Sequence, residues 1–455
     1  MTALQYLKKN ENKAIKDLFS LLKFPSVSAR SEHKKDIKAC AEWLKKHLSA
    51  IGFKARVMQT GGHPLVFAEY KVDPKLPTAL YYGHYDVQPV EPLNLWKSKP
   101  FQPDVRAGYI FARGAADDKG QTFAHIKGLE AILKTTGTLP INVKMLIEGE
   151  EETHSENLPA FIKKNKKMLK ADICIVSDTA QYSKDLPAVT FGLRGIASTE
   201  VFVKGPSRDL HSGSYGGAVG NPVNILCDMI GKLHDKNGKI AIPGFYAGVK
   251  PPNKFIRGQV KKLPFSETAY KKDVGTKALH GEKGYLPYER TWARPTCDVN
   301  GITGGYQGEG AKTIIPSLAS AKITMRLVKG QKPMDICNKL EKYLKKIAPK
   351  SVEVKVDKHG GAEAVQVPTD SVWLDAARVA IKNAYGKEPA FIMEGGSIPI
   401  VGDFKKSLGI DTLLIGMCQH NDNIHSPNER FRIKDFKNGC KMAAQLPFEL
   451  AKVGA

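Results

Sequence analysis

The chain has 455 residues, 42% of them hydrophobic, and a formal net charge of +23 from 69 basic against 46 acidic side chains. That length and apolar content point to two or three domains with sizeable cores and exclude wholesale disorder. No run of about 18 apolar residues occurs, which excludes a membrane-spanning helix. The positive charge is carried mainly by lysines spread along the chain, as between Lys339 and Lys358, with no nucleic-acid recognition motif and no basic–aromatic interleave. It reads as a solvated surface with a general pull on acidic substrates, and no nucleic-acid partner is expected. The seven cysteines are odd in number and contain no C-x-x-C pair, and the N-terminus lacks the apolar core of a signal peptide. Reduced thiols and a cytoplasmic location are expected.

Taken in chain order, residues 12–23 form an amphipathic pattern with Ile15, Leu18, Phe19 and Leu22 on one helical face. Residues 36–51 repeat that pattern and stop at Gly52. Residues 55–58, 65–70 and 78–82 read as strands, 109–111 as a strand running towards a helix over 120–133, and 143–147 and 173–176 as short β-rich runs flanking a helix over 158–164. Such alternation predicts an α/β layer: a mixed, largely parallel sheet with helices on both faces. The pattern changes near residue 189. Residues 197–203 and 319–327 are strand-like, 221–234 and 333–347 helical, which suggests a smaller inserted α+β domain. A helix over 372–384 and a strand over 412–415 then return the chain to the first domain. The expected division is 1–190 and 364–455 for the first domain and 191–363 for the insert. The glycine-rich stretches 213–220 and 301–310 lack the strand-before, helix-after setting of a phosphate-binding fingerprint and are expected to be loops.

Residues with catalytic chemistry gather where strands should end, the usual ligand-binding rim of an open α/β sheet. The first is His84, two residues before Asp86 and just after an apolar run. In such a pair the imidazole can bind a metal while the carboxylate holds its other nitrogen. Asp117 and Asp118 follow the 109–111 strand, Glu148 and Glu150 to Glu152 follow 143–147, Asp178 follows 173–176, and His425 follows the last apolar strand. Each has a plainer role when taken alone: a helix cap for Asp117 or Asp118, a solvated charge run for Glu150 to Glu152, a turn for Asp178, a hydrogen-bonded core histidine for His425. Together they crowd carboxylates and imidazoles at one end of one sheet, which is repulsive unless positive charge sits among them. A divalent metal meets that need. Histidine and carboxylate donors without cysteine suit zinc, with manganese or cobalt as substitutes.

The strings Gly83-His84-Tyr85-Asp86-Val87-Gln88-Pro89, Arg113-Gly114-Ala115-Ala116-Asp117-Asp118-Lys119-Gly120, Glu148-Gly149-Glu150-Glu151-Glu152 and Ile424-His425-Ser426 resemble the signature of the co-catalytic di-zinc peptidases. That family includes cytosolic non-specific dipeptidase, carnosinase, aminoacylase, glutamate carboxypeptidase and succinyl-diaminopimelate desuccinylase. Gly192-Leu193-Arg194-Gly195, Asp209-Leu210-His211-Ser212-Gly213, Gly310-Ala311-Lys312-Thr313-Ile314-Ile315-Pro316 and Glu394-Gly395-Gly396-Ser397-Ile398-Pro399 are similar to the dipeptidase and carnosinase branch. The resemblance covers nearly the whole chain in order. It implies a zinc-peptidase-like fold whose insert is a lid and dimerisation domain, and hence a homodimer.

The resemblance also implies roles. His84 and Asp178 would bind one ion, Glu152 and His425 a second, and Asp117 would bridge the two. Asp86 would orient His84, and Glu151 would be the general base. His211, reaching a neighbouring subunit's site, would stabilise the developing oxyanion. Arg326, Ser397 and Thr313 would meet the free carboxylate of a small peptide substrate. Asp178 is aspartate, as in the dipeptidase and carboxypeptidase branch, where deacetylases and the desuccinylase generally carry glutamate. Glu150, directly before Glu151, departs from relatives that vary there. The expected activity is hydrolysis of dipeptides or short peptides. N-acyl amino acid deacylation by the same machinery is the alternative, and a basic nucleic-acid binder on an inactive hydrolase scaffold is the non-enzymatic one.

Overall fold

The strand Thr78–His84 is buried at every position after Thr78, as expected for a strand covered on both faces, whose sequence is continuously apolar rather than alternating. The computed structural model that shows this describes residues 1–396 and 398–453. Asn142–Glu148 lies parallel to that strand on one side, with His84 opposite Glu148. Ile173–Val176 lies parallel on the other, with Tyr82 opposite Val176. Asp411–Leu414 continues the parallel set, with Leu414 opposite Val176. These registers bring the carboxyl ends of neighbouring strands to one rim. Antiparallel strands flank this centre: Lys54–Met58 and Leu65–Tyr70 on one margin, Ala188–Leu193 on the other. The sheet is mixed with a parallel core, as the alternating pattern predicts.

The helix Lys119–Thr136 is buried from Lys119 through Ile132. It packs against the C-terminal helix Ile433–Ala451, an element that the sequence pattern does not announce. That helix buries Phe436, Gly439, Cys440, Met442, Ala443 and Leu446 together with Asp435 and Asn438.

The chain divides into two units. The first comprises Met1–Phe191, Val367–Ile392 and Asp403–Ala455, and the second Gly192–Gln366 and Met393–Gly402. The segment Met393–Gly402 thus groups with the second unit, where the sequence places everything after residue 364 in the first. The second unit is built on an antiparallel sheet in the order Thr296–Gly304, Leu318–Leu327, Gly195–Lys204, Glu353–Ala362. Gly195–Lys204 alternates buried and part-exposed residues. Its inward Ala197, Val201 and Val203 join a core with Leu226 and Met229 from the helix Pro222–Gly231 and Leu340 and Leu344 from Pro333–Ile347. Gly301 and Gly304 belong to the edge strand Thr296–Gly304, so part of the 301–310 stretch is strand rather than loop. A β-bulge between Val299 and Gly301 accommodates it.

One expectation is corrected here. Tyr109–Phe111 is not a strand of the central sheet. It belongs to a separate antiparallel sheet between Asp104–Arg106 and Arg430–Arg432. Asp117 and His425 therefore do not leave the ends of central strands; they sit on loops next to two partners in this small sheet, where Phe111 pairs with Arg430.

At Gly128 the two buried helices come close together. A Cβ built there would lie 2.5 Å from the Ala443 Cβ and 2.6 Å from the Ala443 carbonyl carbon. In an open helix, Gly→Ala would stabilise by up to about 1 kcal/mol. Gly128→Ala should instead destabilise the first unit by about 1–3 kcal/mol, the usual cost of overpacking. Calorimetry of the variant should show a lowered transition, and a raised one would mean that the helices separate freely.

Candidate metal centre

His84 ends its strand with its imidazole fully buried. Nδ1 lies 3.1 Å from the Asp86 backbone oxygen and 3.4 Å from Asp86 Oδ1. A carbonyl oxygen only accepts, so Nδ1 carries the proton and Nε2 is the ring's ligand atom. Nε2 faces Asp117 Oδ1 at 3.1 Å and Asp178 Oδ2 at 4.0 Å. The strand end packs closely on the following helix: a Cβ at Gly83 would lie 1.8 Å from Thr122 Oγ1, so only glycine fits immediately before His84.

The Asp86 carboxylate has further partners. Its two oxygens accept the backbone N–H groups of Glu151 and Glu152 at 3.2 and 3.1 Å. One buried carboxylate thereby orients an imidazole and fixes the turn that presents the glutamates. Glu152 Oε2 is reached by Gln88 Nε2 at 2.8 Å and by His425 Nε2 at 3.2 Å. Glu150 points elsewhere, accepting from the His63 backbone at 2.9 Å and from Asn157 Nδ2. Glu148 is also engaged, accepting from Tyr82 at 2.5 Å and Ser155 at 2.9 Å.

Asp117 stands between the two imidazoles. Oδ1 faces His84, and Oδ2 faces His425 Nε2 at 2.9 Å. The loop that carries it is held by Glu429. That carboxylate accepts from the Gly114 and Ala116 N–H groups at 2.9 Å, from the Asp117 N–H at 3.1 Å and from Arg113 Nη1 at 2.8 Å. His425 and Glu429 lie in one stretch of chain, so the same segment that supplies the second imidazole also shapes the loop carrying Asp117. The neighbouring Asp118 turns inward, accepting from Thr122 Oγ1 at 2.7 Å and the His84 N–H at 3.3 Å.

The electrostatics are those of a site short of positive charge. Burial lowers the His84 pKa, but Asp117 and Asp86 outweigh it and hold it well above the usual histidine range. Asp117 and Glu152 push His425 up to about 10. Burial raises Asp117, yet His425 and His84 keep it well below the usual carboxylate range. Burial, reinforced by Asp117, drives Asp178 well upward. Burial, opposed by His84 and reinforced by Glu152 and Asp117, pushes Glu151 up to about 7. The ligand atoms of His84, Asp117 and Glu152 lie within 4.8 Å of one another. Two imidazole nitrogens facing several carboxylate oxygens, with no sulfur among them, are the donor set of divalent cations. A second group, Asp17, His47 and Glu130, is equally close. Lys127 already supplies its positive charge, with Nζ 2.9 Å from Asp17 and in contact with Glu130.

The remaining residues expected at the site belong to the second unit or lie outside the described residues. His211 pairs with Ile314 in a short antiparallel bridge, and its Nδ1 accepts the Gly213 N–H at 3.0 Å. The Thr313 carbonyl accepts from the Ser212 N–H at 3.1 Å. Arg326 sits on Leu318–Leu327 opposite Ile196 and Thr296, and burial lowers its pKa. Ser397 lies outside the described residues. Gln88 and Glu429 are site residues that the sequence pattern does not single out. Gln88 stands in a string quoted above and Glu429 four residues after His425, but a hydrogen bond spanning more than three hundred residues, as from Gly114 to Glu429, leaves no local spacing to detect. Glu429→Gln would set an amide N–H against N–H donors in a buried cradle. It should destabilise the first unit by about 3–5 kcal/mol, the cost of breaking a buried charge pair; an unchanged urea midpoint would show that the cradle does not hold the loop.

Residues 80–449 match the family model described as peptidase family M20/M25/M40. The Cys-Gly metallodipeptidase dug1 of Schizosaccharomyces pombe is 30% identical over 99% of this chain and 98% of its own. The Beta-Ala-His dipeptidase of Homo sapiens is 29% identical over 86% of this chain and 78% of its own. Among solved structures, human carnosine dipeptidase 1 superposes with a TM-score of 0.85 at 27% identity, covering 99% of this chain and 98% of that one. An M20 family metallo-carboxypeptidase of Sulfolobus solfataricus gives a TM-score of 0.86 at 35% identity, covering 97% of this chain and 99% of that one. With a family match over most of its length and relatives aligned nearly end to end, this chain belongs to the M20/M25/M40 peptidase family.

Proposed function

We propose that this protein is a metal-dependent dipeptidase that hydrolyses the amide bond of dipeptides or short peptides with a free carboxyl end. The observation that carries this reading is Asp117, each of whose oxygens faces a different imidazole. A carboxylate so placed suits a bridge between two cations. His84 and Asp178 would hold one ion, Glu152 and His425 the other, and Asp117 both. Zinc is the proposed metal, because the donors are nitrogen and oxygen in a buried site. A pair of divalent cations, when bound, supplies Lewis acidity and a water of lowered pKa.

The chain's own residues do the rest. Asp86 keeps the proton of His84 on Nδ1, which leaves Nε2 as the donor atom. Its hold on the Glu151 N–H aims Glu151 from the same turn as Glu152, beside the ligands but without a ligand role. Glu151 takes the proton of the attacking water and returns it to the departing amine. We assign His211 to the developing oxyanion, and Arg326, Ser397 and Thr313 to the substrate carboxylate, on the strength of the motifs they occupy. The names of the relatives, a Cys-Gly metallodipeptidase and a Beta-Ala-His dipeptidase, support peptide bonds over acyl-amino-acid bonds. A homodimer through the second unit is supported by its exposed edge strand Thr296–Gly304, which carries Ile302 at 49% exposure. A cytoplasmic location is supported by the seven cysteines, none of which is in a disulfide.

Stripping the metal with a chelator should abolish hydrolysis, and divalent cations should restore it. Across a panel of dipeptides and N-acetyl or N-succinyl amino acids, kcat/KM should favour dipeptides; a preference for the acyl substrates above about a hundredfold, roughly 2.7 kcal/mol in the barrier, would reverse the assignment. Glu151→Gln should retain its metal by elemental analysis while losing about 10²–10⁴ in kcat, the range for general-base removal. Wild-type turnover in that variant would remove Glu151 from its role.

A further inference from the structure

The two imidazoles of the site are held in different ways. His84 ends a buried strand and is itself fully buried. His425 lies on a stretch without helix or strand, and its side chain is 53% exposed. Asn423, His425 and Asn428 in that stretch have left-handed backbones, with φ of 58°, 62° and 62°. Residues other than glycine keep this conformation only where their surroundings hold it. Hydrogen bonds inside the stretch supply part of that hold. The Ser426 N–H donates to the Asn423 carbonyl at 2.9 Å, and the Arg430 N–H to the Asp422 carbonyl at 2.9 Å. These bonds close the stretch on itself but do not aim it at the site.

The aim comes from two consecutive residues that grip two different loops. Glu429 grips the loop of Asp117. Asn428 grips residues 88–97 with both ends of its amide: Oδ1 accepts the Lys97 N–H at 2.8 Å, and Nδ2 donates to the Leu95 carbonyl at 2.7 Å. These partners fix which way the amide points, since an N–H only donates and a carbonyl only accepts. The gripped loop is a firm support. Trp96 Nε1 donates to the Val90 carbonyl at 2.7 Å, and Arg113 Nη2 to the Pro89 carbonyl at 3.0 Å. The Arg113 guanidinium lies 5.5 Å from the Trp96 ring centre, within cation–π range. The same loop begins at Gln88, whose amide meets the Glu152 oxygen that His425 also faces. Glu152 and His425, assigned to one cation, are thus tied to opposite ends of one loop.

We propose that Asn428 is a positioning residue for the cation position of Glu152 and His425, pinning the His425 stretch to the loop that starts at Gln88 and so setting the separation of the two ligands. The proposal rests on the reading of His425 as a ligand, and adds that its imidazole is placed from outside its own stretch. Asn428 touches neither the substrate nor the reacting atoms. The position of His84 and Asp178 is built at the ends of neighbouring parallel strands and does not depend on the pin.

Asn428→Gly is the direct test. Glycine accepts the same left-handed backbone without strain, so the variant loses the amide alone. In the metal-free full chain its thermal transition should stay close to wild type, while hydrogen exchange should quicken at the Lys97 amide. In equilibrium dialysis against zinc alone, read by elemental analysis, one ion should bind as in wild type. The other should bind about 10–100-fold more weakly, the usual effect of losing a group that orients a ligand. Asn428→Asp should weaken the same ion, because a carboxylate cannot donate to the Leu95 carbonyl. His425→Ala is the reference. If it binds both ions as wild type does, His425 is not a ligand and the reading beneath the proposal fails. If His425→Ala weakens one ion and Asn428→Gly weakens neither, that reading stands and the pin is refuted. Equal weakening of both ions with a lowered thermal transition would give Asn428 a general structural role and overturn the proposal as well.

Discussion

The buried Asp86 carboxylate is the point on which the candidate site depends. It lies against the His84 Nδ1 and accepts two consecutive backbone N–H groups, those of Glu151 and Glu152. A fully buried carboxylate is tolerable only when its oxygens are hydrogen-bonded, and each of these bonds also places a group with chemistry of its own. The imidazole tautomer, the donor atom and the glutamate turn are therefore set by one side chain. Loss of Asp86 would release the imidazole and the turn together, so the effects of its neighbours' substitutions are not expected to add.

Around this anchor the protein keeps a crowd of carboxylates that would weaken an ordinary core. Asp117, Asp178, Glu151 and Glu152 surround two imidazoles, and the neighbouring Asp118 is pushed up to about 8 chiefly by burial. Such a cluster costs stability until cations enter it, and so binding and stability are linked. The scaffold bears that cost through rigid supports that contribute no donor themselves. Parallel strands in register hold His84 and Glu148 side by side, two interlocked helices lie beneath, and the Glu429 cradle holds the loop of Asp117.

The legible parts of the sequence were those whose signal is local. The apolar run before His84, the helix over residues 158–164 and the helix Pro333–Ile347 appear where their periodicity places them. The nearness of His84, the turn at residues 148–152 and Asp178 follows from neighbouring parallel strand ends, whereas Asp117 joins them from beside a separate small sheet. What escaped was non-local. The small sheet that joins Tyr109–Phe111 to Arg430–Arg432 pairs segments too short to show alternation, and its effect is to bring the loops of Asp117 and His425 together. The detour of Glu150 to His63 and Asn157 cannot be read from three consecutive glutamates, since strand geometry and a turn decide which of them faces inward.

By itself the sequence determined the types of donor, their order along the chain and the elements that carry most of them, because hydrophobic periodicity and residue chemistry are properties of short segments. Only the tertiary structure decided which of three adjacent glutamates is tied away and which distant carboxylate, Glu429, cradles the loop of Asp117. Those outcomes depend on hydrogen bonds and packing between residues hundreds of positions apart. Their strength comes from burial, and burial exists only once the whole chain has folded.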